Sequence, residues 1–169
     1  QRIEQFGGRA LVGLDPGLGK TICTYSFLFR NRKIALPAVI VCPAGVRYTW
    51  EDEARKHVRC SVSVCEGRMP PSEVGLQAAD IYVINFDILK HWVPWLRQFG
   101  IQTVVVDECQ NLINRTTQRT KYVRKLCGGV PFVLCLSGTA IMSRTAELYP
   151  VLNLLRPDVW PDFRSYAQA

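Results

Sequence analysis

The stretch Leu11-Val-Gly-Leu-Asp-Pro-Gly-Leu-Gly-Lys-Thr21 joins an apolar run to a glycine turn and then to an amphipathic segment. This order predicts a strand, a loop and a helix, with Gly17 and Gly19 allowing the backbone to come close to an anion. In such a loop Lys20 reaches the β- and γ-phosphates of a nucleotide, and the Thr21 hydroxyl holds Mg²⁺. We therefore predict a phosphate-binding loop.

This loop departs from the strict pattern at its first position. The pattern Gly-x-x-x-x-Gly-Lys-Ser/Thr has glycine at position 14, whereas this chain has Leu14, with Gly13 one place earlier. A short Gly-Lys-Thr match also occurs in ordinary turns, which is the alternative interpretation. The strand pattern before the loop and the helix pattern after it favour phosphate binding.

Length and composition indicate one globular domain. The 169 residues are enough for a single substantial core, and 48% are hydrophobic while 21% are charged, which excludes a disordered chain. The net charge of +7 suits a polyanionic partner such as nucleic acid, although charge alone does not require one.

The seven cysteines include no Cys-x-x-Cys pair, which favours a reducing setting. Most lie in apolar runs and are predicted to be small buried side chains, among them Cys23, Cys42 and Cys135. His57, Cys60 and Cys65 cluster loosely, but a fourth ligand at a spacing suitable for zinc is missing. We therefore expect no metal centre of this kind.

No apolar run reaches the roughly 18–20 residues of a membrane span, and no signal peptide is visible. We expect an intracellular protein with no membrane partner, in a bacterial or phage-infected cytoplasm or, in a eukaryote, in the nucleus. Because the chain begins at Gln1 without methionine, we also expect it to be a piece of a longer protein.

Short apolar runs typical of strands alternate with helical patterns along the whole chain. The predicted strands are Ala10–Leu14, Ala38–Cys42, Ser61–Cys65, Ile81–Asn85, Thr103–Asp107 and Phe132–Ser137. The predicted helices are Lys20–Arg30, Val46–His57, Asp87–Phe99, Thr117–Cys127 and Thr145–Leu155. This alternation predicts an α/β sandwich with a mostly parallel central sheet flanked by helices. Residues 1–169 are expected to form a single domain.

Two further strands are predicted to end in residues that suit nucleotide chemistry, and ligands of open parallel sheets bind beyond the carboxyl ends of strands. One strand leads into Asp107 and Glu108, of which Asp107 would stabilise Mg²⁺ and Glu108 would polarise the attacking water. The other leads into Ser137, Gly138 and Thr139, whose hydroxyls could sense the γ-phosphate. The alternatives are a solvated turn at the first position and a helix cap or turn at the second.

Four segments now carry a resemblance to a known family. In chain order they are Asp-Pro-Gly-Leu-Gly-Lys-Thr (15–21), Val-Cys-Pro-Ala (41–44) with Trp50 downstream, Asp-Glu-Cys-Gln (107–110) and Leu-Ser-Gly-Thr (136–139). They resemble motifs I, Ia, II and III of superfamily 2 helicases, and more narrowly the first RecA-like lobe of SWI/SNF-related DNA translocases. The segment Ala140-Ile-Met-Ser-Arg-Thr-Ala-Glu-Leu-Tyr149 is similar to the annealing-helicase (HARP-like) branch and its bacterial and phage relatives.

The resemblance implies a RecA-like P-loop NTPase fold and an ATP- and Mg²⁺-using, DNA-dependent ATPase that translocates on duplex DNA or remodels and reanneals it. It implies catalytic roles for Lys20, Asp107 and Glu108, and a magnesium site formed by Thr21 and Asp107. Nucleotide contacts are expected from Gly17, Leu18, Gly19, Lys20, Thr21 and Gln110. Coupling between ATP and DNA is expected from Ser137, Gly138 and Thr139.

Some positions differ from the usual family pattern, namely Leu14, Pro16, Gln110 and Ala140. None of them removes the phosphate lysine or the two carboxylates, so we expect nucleotide binding to survive. The residues that read adenine are not identified from the sequence, although Gln1 and Gln5 are candidates.

The resemblance also implies contacts with the phosphate backbone of duplex or forked DNA. Those contacts would come from Pro43, Ala44 and nearby Arg47, and from Asn85 with the residues that follow it. Further candidates are basic residues that could equally be solvated surface, namely Lys56, Arg115, Arg119, Lys121 and Arg124. Trp50 suits stacking, but on a helix beside Ala54 it is more typical of a core residue.

A motor of this type needs a second RecA-like lobe, and nothing resembling one follows the third motif. We expect that lobe to be supplied by the parent protein, and the chain alone to be nearly inactive. The remaining alternatives are another superfamily 2 helicase such as a restriction-type motor, a non-catalytic ATP- or DNA-binding module, and a non-helicase P-loop ATPase or kinase.

Overall fold

The computed structural model describes residues 2–70, 78–138 and 145–168. Its centre is one sheet of six parallel strands in the order β1-β6-β5-β2-β4-β3. The strands are β1 (Arg9–Gly13), β2 (Ala38–Cys42), β3 (Val62–Val64), β4 (Ile81–Asn85), β5 (Thr103–Val106) and β6 (Phe132–Ser137). The predicted α/β fold with a parallel sheet is confirmed.

Helices connect the strands and cover both faces of the sheet. They are α1 (Arg2–Gln5), α2 (Lys20–Arg30), α3 (Arg32–Ala35), α4 (Arg47–His57), α5 (Leu89–Leu96), α6 (Gln118–Cys127), α7 (Thr145–Leu155) and α8 (Phe163–Ala167). Short 3₁₀ turns lie at Ala44–Val46, Arg97–Phe99 and Cys109–Leu112. Within the described residues, no helix is both long and apolar enough to cross a membrane.

The inner strands β2, β4 and β5 are buried along their whole length, so they read as nearly continuous apolar runs, whereas the edge strands β1 and β3 are only partly buried. Along β2, Val39 and Val41 face one hydrophobic cluster, whereas Ala38, Ile40 and Cys42 face the other. The first cluster includes side chains of α5, α6 and α7, and the second includes side chains of α2 and α4. This double burial explains why apolar run length locates the strands so well.

The predicted bounds agree with the structure at β2, β4, β6, α2 and α7. Elsewhere the differences are small: β1 begins and ends one residue earlier than predicted, and β3 and β5 are shorter. The short helices α1, α3 and α8 were not predicted, because segments of four or five residues show no clear helical periodicity.

One expectation about the cysteines is wrong. Cys23 is exposed, because α2 buries Thr24, Tyr25, Phe27 and Leu28 and so turns position 23 towards solvent. Cys42 and Cys135 are buried, as expected.

The strand order decides which loops meet. Strands β1, β6 and β5 are neighbours, so the three loops that follow them lie side by side at the carboxyl edge of the sheet. The carboxyl ends of β2 and β4 come next along the same edge. The predicted nucleotide residues and the predicted DNA residues therefore occupy adjoining parts of one edge.

Candidate functional site

The loop between β1 and α2 has the backbone shape of an anion cradle. The N–H of Leu14 donates to the carbonyl of Ser137 (3.2 Å), and the N–H of Leu18 donates to the carbonyl of Asp15 (3.1 Å), which closes a tight turn. Gly17 and Gly19 both have φ of 82°, and a Cβ at either position would meet nothing within 4 Å. Glycine suits these two positions because it adopts a positive φ without strain. Lack of space for a side chain is not the reason.

Helix α2 begins at Lys20, directly after this cradle, and no side chain caps its N-terminus. The amides of the first turn thus remain available for an anion. The Lys20 ammonium donates to the carbonyl of Leu14 (3.0 Å). A Cβ built on Gly138 would lie 3.2 Å from Lys20 Nζ, so the lysine lies between the ends of β1 and β6. Thr21 follows in the same helical turn and is half-buried.

Asp107 follows β5 and is 9% exposed. Its Oδ2 accepts a hydrogen bond from Trp50 Nε1 (3.0 Å), and its Oδ1 accepts one from the backbone N–H of Glu108 (2.9 Å). Burial raises the pKa of the Asp107 carboxyl above its usual value and the Glu108 charge adds to this, whereas the Trp50 bond and the Lys20 charge oppose it. Lys20 lies against Gly138 after β6, and Asp107 follows the neighbouring strand β5, so the two side chains belong to adjoining strand ends.

Glu108 directly precedes the 3₁₀ turn Cys109–Leu112, and its φ of 48° lies in the left-handed region that residues other than glycine rarely adopt. Its Oε2 accepts a hydrogen bond from the Gln110 side-chain amide. The Gln110 Oε1 in turn accepts one from the Ser137 hydroxyl (3.0 Å). A polar chain thus runs from the end of β6 to the Glu108 carboxylate.

These residues fit a magnesium-bound nucleoside triphosphate. The cradle, the uncapped helix and Lys20 provide positive potential at this edge, and Thr21 and Asp107 could supply two oxygen ligands to Mg²⁺. Two protein ligands suffice, because Mg²⁺ usually keeps several waters and takes substrate phosphates as further ligands. Leu18 is 63% exposed beside the cradle. Thr139 lies outside the described residues.

The residues predicted to contact DNA lie at the ends of β2 and β4. Pro43 is half-buried and Ala44 is exposed. The Arg47 guanidinium donates to the carbonyls of Cys65 (3.0 Å) and Ala44 (3.3 Å). Asn85 is 8% exposed, and its Oδ1 accepts from the N–H of Ile88 (3.1 Å), so it shapes the turn after β4.

The other basic candidates differ in location and pairing. Arg119 pairs with Asp87 after β4 (2.7 Å), and the Arg115 guanidinium lies 4.1 Å from the centre of the Phe163 ring. Lys56 pairs with Glu53 (2.9 Å) in the last turn of α4, about 14 Å along the helix from its start. The structure thus separates Lys56 from the carboxyl edge. Lys121 and Arg124 are exposed on α6.

Sequence reasoning missed the hydrogen bond between Trp50 and Asp107. The burial of Trp50 was predicted and is confirmed at 3% exposure. Its bond to Asp107 joins residues far apart in the chain, and no local pattern signals such a contact.

The parallel sheet, the cradle after β1 and the acidic pair after β5 define the class of protein as an α/β protein with a RecA-like fold of the P-loop type. Comparison with known proteins makes this more specific. A family model described as the SNF2-related domain matches residues 7–169. The chain belongs to the SNF2-related domain family.

Individual relatives agree with this assignment. The chain is 31% identical over 159 residues to the SWI/SNF-related matrix-associated actin-dependent regulator of chromatin subfamily A-like protein 1 of Xenopus tropicalis, covering 94% of this chain and 17% of the relative. It is 26% identical over 170 residues to the mouse DNA annealing helicase and endonuclease ZRANB3, covering 95% and 16% respectively. The chain thus spans about a sixth of the length of these relatives.

A solved structure shows the same fold. The SWI2/SNF2 ATPase core of Sulfolobus solfataricus in complex with dsDNA superposes with a TM-score of 0.79 at 25% sequence identity. The match covers 99% of this chain and 35% of the archaeal chain.

Proposed function

We propose that this chain is the single ATP-binding lobe, residues 1–169, of a DNA-dependent ATPase that translocates on duplex DNA or remodels and reanneals it. The observation that carries the proposal is the placement of Lys20 and Asp107 at one edge of the sheet, where Lys20 lies against Gly138 after β6 and Asp107 follows the neighbouring strand β5. Family membership over residues 7–169 supports it.

In this proposal each residue of the site has one task. The amides of Gly17, Leu18 and Gly19 bind the β-phosphate, and Lys20 binds the β- and γ-phosphates. Thr21 and Asp107 would hold Mg²⁺, which when bound would supply positive charge to the phosphates. Glu108 orients and polarises the attacking water. The site then supplies positioning and electrostatic stabilisation, which phosphoryl transfer mainly requires.

Coupling to DNA is assigned to the loop after β6. The Ser137 hydroxyl donates to Gln110, whose amide donates to Glu108, so a movement of Ser137 can alter the carboxylate that polarises water. Gly138 lies against the Lys20 ammonium, which ties the same loop to the phosphates. We assign Thr139 to this coupling group by its place in the motif.

DNA is proposed to contact the adjoining edge through its phosphate backbone, near Pro43, Ala44, Arg47 and Asn85. The exposed backbone at Ala44 suits an approach to phosphates without reading bases. The likeness to an archaeal ATPase core solved with dsDNA supports a duplex. Chromatin-related and helicase relatives support a site of action inside the cell, with DNA.

A second RecA-like lobe in the parent protein would complete the motor. Arginine fingers contribute on the order of 10³–10⁵ to the rate of such reactions. We therefore expect the present chain to bind Mg·ATP weakly and to hydrolyse it very slowly, without stimulation by DNA.

The test compares the longer parent protein with two variants in an ATPase assay with and without duplex DNA. Lys20→Ala is expected to abolish both ATP binding and hydrolysis, because it removes the phosphate-binding charge. Glu108→Gln is expected to abolish hydrolysis while keeping ATP binding, because the amide cannot polarise water as the carboxylate does.

Two results would contradict the proposal. Normal hydrolysis by Glu108→Gln would refute the role of Glu108. ATP binding by the parent with no turnover, with or without DNA, would instead identify a non-catalytic module.

A further inference from the structure

The Trp50 indole fixes one side of the Asp107 carboxylate. Trp50 is 3% exposed, and its Nε1–H donates to Asp107 Oδ2 over 3.0 Å. The other oxygen, Oδ1, accepts from the N–H of Glu108. One bond to each oxygen sets both the position and the rotation of the carboxylate.

Trp50 is itself held by Tyr25, which is 1% exposed. The two rings meet edge to face, with centroids 5.6 Å apart and planes at 77°, and the Tyr25 hydroxyl donates to the Trp50 carbonyl. Tyr25 lies on α2, the helix that begins with Lys20, whereas Trp50 lies on α4, which begins at Arg47. The indole therefore connects the phosphate-binding helix, the helix beside the proposed DNA edge and the carboxylate after β5.

An indole N–H is well suited to this task. It only donates, and its ring is rigid, so it can hold a carboxylate oxygen in one direction and cannot reverse the bond. The ring is buried among the side chains of α2, α4 and the sheet, which leaves it little freedom to follow a moving carboxylate.

We propose that Trp50 is a positioning residue that holds the Asp107 carboxylate in the orientation needed to bind the magnesium ion of the nucleotide. The inference rests on the proposed function, since it assigns Asp107 to the metal. Hydrogen-bond partners of metal-ligating carboxylates typically contribute 10–100-fold to metal affinity or activity. Trp50 would act through Asp107, with no contact to the nucleotide itself.

Trp92 provides a matched control within the same chain. It is 4% exposed, and its Nε1–H also donates over 3.0 Å, in this case to the carbonyl of Gly67. It lies on α5, in the hydrophobic cluster on the opposite face of the sheet from Trp50. Replacing either tryptophan by phenylalanine removes an indole N–H bond, but only one of the two bonds reaches Asp107.

The experiment measures binding of N-methylanthraniloyl-ATP to the chain by directly excited fluorescence, in Mg²⁺ and in EDTA. Trp50→Phe is expected to reduce the Mg²⁺-dependent gain in affinity by about tenfold, and to leave the affinity in EDTA unchanged. Trp92→Phe is expected to keep the full gain. In an Asp107→Asn background, Trp50→Phe is expected to cause no further loss, because its action depends on the carboxylate.

The outcomes separate the inference from the function on which it rests. If the unmodified chain binds no nucleotide, the proposed function fails. If it binds with a magnesium-dependent gain that Trp50→Phe retains, or if both phenylalanine variants lose the gain equally, only the role of Trp50 is overturned. Circular dichroism checks folding, and if Trp50→Phe does not fold, benzothienylalanine at position 50 keeps the ring size without the N–H.

Discussion

At the scale of single residues, Asp107 and Glu108 show how neighbouring carboxylates come to serve one site. Successive side chains on a strand point to opposite faces, but β5 ends at Val106, and Glu108 adopts a left-handed φ of 48°. The Glu108 charge still raises the pKa of Asp107, so the two carboxylates stay close. A strained backbone at such a position is typical of functional sites.

Part of the residue-level arrangement could be predicted and part could not. The approach of Lys20 to Asp107 follows from two motifs placed at the carboxyl ends of parallel strands. The bonds from Trp50 to Asp107 and from Ser137 to Gln110 depend on side-chain rotamers across distant elements, which no spacing rule encodes. Asn85 was predicted as a DNA contact, and its hydrogen bond to the turn after β4 could not be inferred from composition.

Gly138→Ala is predicted to weaken ATP binding several-fold, with little loss of stability. The new methyl group would lie 3.2 Å from Lys20 Nζ and 3.4 Å from Pro16 Cγ, so the flexible lysine has to shift away from the phosphates. Equilibrium nucleotide binding measures the effect. Gly128→Ala is the control, because its methyl group would make only ordinary van der Waals contacts, the nearest being the Lys125 carbonyl at 3.5 Å, and wild-type binding is expected. Equal binding by both variants would contradict the steric argument.

At the scale of elements, the strands were easier to predict than the helices. A strand buried on both faces needs an uninterrupted apolar run, and β2, β4 and β6 match their runs residue for residue. Helix α5 begins at Leu89, two residues later than predicted, because Asn85 and the turn after β4 occupy the preceding positions. The short helices depend on tertiary packing, which sequence periodicity does not report.

The Arg9 side chain links the start of β1 to the end of α7 and to the segment before β6. Its guanidinium donates to the carbonyls of Leu154 (2.6 Å) and Leu155 (3.0 Å) at the end of α7. It also donates to the carbonyls of Val130 (2.6 Å) and Pro131 (3.3 Å) before β6. Arg9→Ala is predicted to lower the free energy of unfolding by about 1.5–3 kcal/mol, because it leaves these carbonyls without their charged donor.

Urea denaturation checks this prediction. Arg9→Lys is expected to restore only part of the loss, because an ammonium cannot reproduce the fork of guanidinium donors. Arg55→Ala is the control: Arg55 forms an exposed pair with Glu51 (2.7 Å), and its loss is expected to cost under about 1 kcal/mol. If Arg9→Ala lowered the free energy of unfolding no more than Arg55→Ala does, the proposed stabilising role of Arg9 would be wrong.

At the scale of the whole molecule, the parallel sheet separates chemistry from packing. The carboxyl edge holds the residues proposed to bind nucleotide and DNA, whereas the two faces of the sheet are apolar. This separation also determines which cysteines are exposed to solvent, since most of them lie in the packed layers.

Thiol reactivity is predicted to follow this layering. Cys23 is exposed, whereas burial raises the pKa of Cys42, Cys65 and Cys127 to about 12. A raised pKa leaves little thiolate at pH 8, so these three thiols should react very slowly. Titration with a disulfide reagent is expected to show one fast thiol in the native chain and seven after denaturation in guanidinium.

Cys23→Ser is expected to remove that fast phase and leave the total in denaturant one lower. Fast reaction of thiols other than Cys23 and the half-buried Cys60 would show that the packed layers open readily.

The pairing of β1 with β6 also constrains how the molecule is made. Arg9 lies opposite Val133, so the first and last of the described strands are neighbours in the sheet. Contacts between such distant segments form slowly, because a long loop must be closed before they are gained. During synthesis on a ribosome, the loop after β1 cannot contact β6 until β6 has emerged. Nucleotide capture would therefore report the completion of folding, and a nascent chain arrested before Phe132 should be unable to retain ATP.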